Sequence, residues 1–219
     1  MDLTTVYIVS FGLIILVTGY FLPAIQSKSI ARLAAWGISV LSVVFATVIT
    51  GQASALYRMV AIISLQLLSM KSIVAVETYT GKPRLTFIQW LAFALGWFGM
   101  RPVLFEKFPS TTLSYGDILV RGVTRIIVGV LLVYLSFQIP KLFVKIYFLE
   151  ELILLVGFSL ILHFGILNVS TALWRISGVD VRELFRAPYK SRSLKEFWGK
   201  RWNLAFSEMT ALIAYKPLK

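Results

Sequence analysis

The chain has 219 residues, 58% of them hydrophobic and 15% charged, and a mean hydropathy of +0.82. That is far too apolar for a soluble globular domain, and several unbroken runs approach or exceed the ~20 residues that cross a bilayer as a helix. The net charge is +12, with no cysteine and one histidine, which excludes disulfides, thiolate metal ligands, a cysteine nucleophile and a multi-histidine metal centre.

The apolar runs are continuous rather than alternating. The expected fold is therefore all-α, a polytopic integral membrane helix bundle in one transmembrane domain. Met1-Asp2-Leu3 lacks the basic region of a cleavable signal, so the first run, residues 4–25, reads as a retained span ending at Pro23 and Gln26-Ser27-Lys28. A second span covers residues 33–50 and closes at Gly51-Gln52. The third, residues 55–76, is interrupted by Arg58, Gln66 and Lys71, and a polar turn from Glu77 to Arg84 follows, with Gly81 and Pro83. Residues 85–98 are apolar and aromatic, but give only about 21 Å of helix against a hydrocarbon core of ~30 Å. Strong spans follow at residues 118–139, ended by Pro140, and 151–174, ended by Arg175 and Gly178.

Charge bears on the short segment. Residues 175–219 hold ten Lys/Arg and four Asp/Glu, half the net charge of the chain. Five crossings, with residues 85–98 re-entrant or interfacial, place Lys28, Arg32, Lys82, Arg84, Arg101, Lys107 and the basic tail on one face, cytoplasmic by the positive-inside rule. A sixth crossing would separate Lys28 and Arg32 from the tail. Beside a span, such a cluster is a topological signal first and a site for anionic headgroups or a polyanionic cofactor second. Membrane lipids are expected partners; nucleic acid is not, because nothing resembles a soluble basic module.

Several polar residues lie within the spans. Arg58 is near a span end and is expected to snorkel. Arg121 and Arg125 form an i,i+4 stripe at the start of a span and read as interfacial. Glu150-Glu151 opens the last span, where the helix dipole favours carboxylates. His163, with Asn168 five residues on, is deep in that span and reads as a hydrogen-bonded structural contact ahead of a substrate contact or a catalytic base.

The tail beyond Gly178 differs in kind. After Pro188, Ser193-x-x-Glu196 is a capping-box sequence, and Leu194, Phe197, Trp198, Trp202, Ala205, Phe206, Met209, Leu212 and Ile213 recur at helical spacing. At ~100° per residue, Glu196, Lys200, Asn203 and Ser207 form a narrow polar stripe on an amphipathic helix, with Glu196 and Lys200 an i,i+4 pair. Two readings follow: an interfacial anchor with Trp and Lys/Arg at headgroup depth, or the lining of a reaction chamber with Asn203 towards substrate.

The run Gly178-Val-Asp-Val-Arg-Glu-Leu-Phe-Arg-Ala-Pro188, followed by Ser191-x-Ser193-Leu-x-x-Phe197-Trp-Gly-x-Arg-Trp-Asn203, resembles the signature of the wax synthase branch of the membrane-bound O-acyltransferases. The likeness covers about 25 residues closely. It departs at Lys200, where an arginine is usual; this keeps the charge but loses the fork-shaped donor. The resemblance implies transfer of a fatty acyl group from acyl-CoA, a cosubstrate rather than a bound cofactor, to an alcohol hydroxyl. It implies that Asn203 positions substrate or stabilises charge, that Trp198 and Trp202 wall the acyl chain, and that Lys200 and Arg201 meet the CoA unless they act as anchors. Ser207 and His163 become candidate substrate contacts, and Lys71 either meets the CoA or anchors the cytoplasmic end of its span. It also implies a catalytic histidine on a span after the motif. No histidine follows Asn203 in this sequence, so a truncated, split or non-catalytic chain is the expectation, and a fold-retaining scaffold or partner subunit is the alternative function. A small transporter is disfavoured by the lack of an inverted repeat.

Overall fold

The computed structural model describes residues 2–81, 85–138 and 147–215. Lys82, Pro83, Arg84, Pro140 and the closing residues 216–219, all used in the charge and boundary expectations, lie outside them. The described residues are helical, without strand, and five helices are long and apolar enough to span a bilayer. The chain is an all-α polytopic membrane protein. It divides into two compact units, Met1–Glu106 with Glu208–Lys219, and Lys107–Ser207.

In the first unit, α1 (Leu3–Phe21), α2 (Lys28–Ile49) and α3 (Ala55–Tyr79) are the spans, and α4 (Phe87–Gly96) is the short helix. Ten residues give about 15 Å, half of what a crossing needs. Thr86 starts α4 with a full capping box: its hydroxyl accepts the Gln89 N–H, and the Gln89 side chain accepts the Thr86 N–H. The Trp90 indole N–H donates to the Leu16 carbonyl at 2.9 Å, pinning α4 to α1.

Two sequence expectations need correction here. Helix α2 begins at Lys28 rather than near Leu33, and Glu77 belongs to α3 rather than to the polar turn. Both follow from one interaction. Arg32 donates to both Glu77 carboxylate oxygens, and Lys28 lies 3.4 Å from the same group, so the charges at these helix ends satisfy one another. Along the rest of the α2–α3 seam, Gln66 donates to Ser39 at 3.0 Å, Ser69 to Ser39 at 3.3 Å and Ser42 to Gln66 at 3.3 Å. With no apolar driving force between helices in lipid, such pairs specify which helices meet.

The second unit holds α5 (Gly116–Ser136) and a long helix in three parts: α6 (Tyr147–Ser159), a π turn (Leu160–Ile166) and α7 (Leu167–Ile176). The single span expected at 151–174 thus starts earlier and carries a π turn at its middle. Helices α5 and α6 approach closely enough that a Cβ on Gly129 would lie 2.8 Å from the Gly157 carbonyl oxygen and 2.7 Å from Ile161 Cγ1.

The backbone of α6 cannot yield to that contact, so Gly129→Leu should cost about 1–3 kcal/mol by overpacking. We expect a lower midpoint for thermal unfolding in detergent. Gly37→Ala faces open space and removes a helix-interior glycine, so the same measurement should show an unchanged or higher midpoint.

Candidate functional site

The C-terminal motif is organised by its backbone. Its first half, beginning at Gly178, is fixed by Arg175, which donates to the Ser114 carbonyl at 2.6 Å, to Asp180 at 2.6 Å and to the Val181 carbonyl at 3.0 Å. Its second half opens with α8 (Leu194–Glu196), which passes directly into a π turn (Phe197–Arg201) closed by the Trp202 N–H on the Phe197 carbonyl. Trp202 is extended and Asn203 has φ 43, so the chain leaves the helix before α9 (Leu204–Thr210) begins. Here the halves meet: the Arg186 N–H donates to the Arg201 carbonyl at 2.8 Å, and the Leu204 N–H to the Leu184 carbonyl at 3.0 Å.

This overturns the continuous amphipathic helix. Side-chain periodicity does not register backbone pairing with residues 184–186, and that pairing draws residues 201–204 out of helical geometry. Glu196, Lys200, Asn203 and Ser207 therefore do not share a stripe. Glu196 pairs with Arg201 at 2.7 Å rather than with Lys200, because five-residue spacing becomes adjacent in a π turn. The capping box is half formed. Ser193 Oγ accepts the Glu196 N–H, but the Glu196 carboxylate accepts the N–H of Arg192, one residue earlier than the box requires.

The candidate side chains fall into distinct settings. The left-handed backbone of Asn203, which asparagine tolerates better than most residues, starts α9, and its Oδ1 accepts the Phe206 N–H at 3.3 Å. Arg201 is engaged by Glu196 and the Arg186 carbonyl, whereas Lys200 is exposed. The Ser207 hydroxyl donates to the Trp198 carbonyl, and Trp198 is itself 51% exposed.

Trp202 and His163 come together. The rings are 6.0 Å apart and inclined by 27°, and Phe185 sits edge-on to both, at 5.0 Å from His163 and 4.9 Å from Trp202. Phe197 stacks on Trp202 at 5.5 Å and Phe164 packs edge-on to Phe185 at 5.8 Å. Each such pair contributes about 0.5–1.5 kcal/mol beyond burial. The hydrogen bond expected for a structural His163 is missing among the described residues: its Nδ1 is buried without a partner. His163 lies about 20 Å of helix in from the span end at Ile176, so the motif's aromatic face packs against the middle of a span.

Beside this cluster, fully buried Asn168 donates to Glu183 at 2.7 Å, and Arg121 donates to the same carboxylate at 3.1 Å with Arg125 3.9 Å away. The arginine stripe is thereby tied to the first half of the motif. The sequence sets Glu183, Phe185 and Arg186 inside the motif and Asn168 five residues after His163, but assigns none of the four a partner in the site; an acidic residue inside a basic motif was the available signal for Glu183. In the first unit Lys71 is fully buried, and its ammonium donates to the carbonyls of Trp97, at 2.7 Å, and Gly99 while lying over the Phe93 ring. It does not reach outward as an end-of-span anchor would; it caps the chain leaving α4.

Residues 181–219 match the model of the membrane bound O-acyl transferase family. Over 42 residues the chain is 43% identical to the long-chain-alcohol O-fatty-acyltransferase of Simmondsia chinensis, a stretch covering 19% of this chain and 12% of that protein. Probable long-chain-alcohol O-fatty-acyltransferase 7 of Arabidopsis thaliana is 43% identical over 44 residues, 20% of this chain and 13% of the relative. The matched stretch thus spans about an eighth of each relative's length, and no solved structure matches. The likeness to the family lies in the C-terminal segment, where the two halves of the motif are paired.

The Arg192 N–H and the Arg201 guanidinium hold the Glu196 carboxyl below the usual carboxylate range. A depressed folded-state value means that the carboxylate's contribution is complete above the unfolded carboxyl range and is lost as pH falls through the folded value. Carbonyl-carbon NMR titration of Glu196 should give a midpoint below that of an unstructured glutamate. In Arg201→Gln the midpoint should rise part of the way, because the Arg192 hydrogen bond remains.

Proposed function

We propose that this chain forms part of an acyltransferase that passes a fatty acyl group from acyl-CoA to the hydroxyl of a long-chain alcohol within the membrane. The observation that carries the reading is the likeness of residues 181–219 to the O-acyltransferases named above, supported by the backbone pairing of Leu184 and Arg186 with Leu204 and Arg201 within that stretch. In such a transfer the alcohol oxygen attacks the thioester carbonyl as a base removes its proton, the carbonyl oxygen gains negative charge, and the CoA thiolate leaves.

In this reading Asn203 supplies the carboxamide N–H donors. Its oxygen already caps α9, which fixes the side chain at the turn and leaves the nitrogen end to meet the developing oxyanion or the substrate. Trp202 walls the acyl chain. Trp198, more exposed, lies where the chain or its thioester enters. Lys200 has the exposed setting suited to the phosphates of CoA, whereas Arg201 supports the turn through Glu196. The basic segment faces the cytoplasm, where acyl-CoA resides. Ser207 holds the Trp198 backbone, and Lys71 positions the chain after α4.

Replacing Asn203 separates its chemical role from its backbone role. In microsomes containing the enzyme of which this chain is part, Asn203→Gly keeps the left-handed turn and Asn203→Asp keeps the cap oxygen, but both lose the amide donors. Ester formation from labelled acyl-CoA should fall by about 100-fold or more in both, the usual cost of an oxyanion donor, with protein levels maintained. Near wild-type turnover in Asn203→Gly would remove Asn203 from the chemistry and leave it the role of a structural cap.

A further inference from the structure

The one histidine of the chain is placed where a structural histidine would be costly. It lies on the π turn Leu160–Ile166, a helix irregularity often found at functional positions. Its Nδ1 is buried with no hydrogen-bond partner among the described residues. An unsatisfied buried polar atom forfeits the hydrogen bond it makes in water, and at this depth in a span there is no bulk water to repay it. The rings around it, Phe185 and Trp202, both come from the motif and offer stacking but no hydrogen bond in their present arrangement.

A ligand that completes this site has one polar atom and an otherwise apolar body, and it reaches the site through lipid. We propose that His163 holds the hydroxyl of a long-chain alcohol, with Nδ1 as hydrogen-bond partner and the alkyl chain against Phe185 and Trp202. This rests on the acyl-transfer reading and names the acceptor's binding point within it. An alcohol fits either imidazole tautomer, because its hydroxyl both donates and accepts; an ester or thioester carbonyl fits only if Nδ1 carries the proton. The multiply charged end of acyl-CoA is a poor occupant, since the rings that surround His163 are apolar and a highly charged group buried among them would lose its hydration. His163 precedes the motif and acts here by positioning the acceptor.

The single histidine makes the test direct. With the protein labelled at histidine with 15N and reconstituted in lipid nanodiscs, hexadecanol should shift the Nδ1 resonance saturably, and hexadecane should leave it in place. Labelled hexadecanol should bind about tenfold more weakly to His163→Phe, which keeps a ring but loses the nitrogen; that is the worth of one neutral hydrogen bond. No shift with hexadecanol, an equal shift with hexadecane, or an equal shift with methyl palmitate would overturn the assignment. If His163→Phe does not fold, the wild-type titration decides alone. Because the readout is binding, a hexadecanol shift alongside fully active Asn203 variants would sink the catalytic role of Asn203 but not this site.

Discussion

Two backbone hydrogen bonds, from Arg186 to Arg201 and from Leu204 to Leu184, set the form of the C-terminal motif. A helix spends its amides on itself, so distant segments of a helical membrane protein seldom meet through their main chains. Where they do, the side chains on both strands acquire a fixed relation. Here the pairing brings Phe185 and Trp202 edge to face, and both close on His163 in the middle of a span. The turn that makes the pairing possible depends in turn on Asn203 adopting a left-handed backbone and on Glu196 bridging Arg192 and Arg201.

The first unit solves a different problem with the same economy. Its spans contain Lys71, Glu77 and Gln66 and a series of serines, groups that hydrocarbon cannot solvate. Each is given a protein partner: Glu77 receives Arg32 and Lys28, Gln66 and Ser69 meet Ser39, and Lys71 takes the two carbonyls that follow α4. The consequence is specificity of helix pairing, and the short α4 is held in register by Lys71 and by the Trp90 indole. In the second unit small residues take over, with Gly129 and Gly157 allowing the backbones of α5 and α6 to touch.

The five spans and the short helix were legible because an apolar run long enough to cross a bilayer has few other uses. Their ends were less so. Glu77 reads as the start of a turn until its partner Arg32, on another helix, is known, and no local pattern reveals that pairing. The C-terminal helix was misread for a similar reason: aromatic residues at three- and four-residue spacing fit a helix well, and the break at Trp202 and Asn203 depends on contacts with residues 184–186. The importance of residues 193–203 was nonetheless visible in their basic and aromatic composition, and that of residues 178–188 in their resemblance to a known signature. His163 could be singled out as an ionisable group within a span, but its aromatic surroundings come from positions far along the chain.

The most direct test concerns the amides that pair the motif. Residue-resolved hydrogen exchange in nanodiscs should show the Arg186 and Leu204 N–H groups exchanging far more slowly than those of Leu194 and Lys195, which start a helix and have no intrahelical acceptor. If Arg186 and Leu204 exchange as fast as those two, the halves of the motif are not joined, and the aromatic site built on their union does not exist.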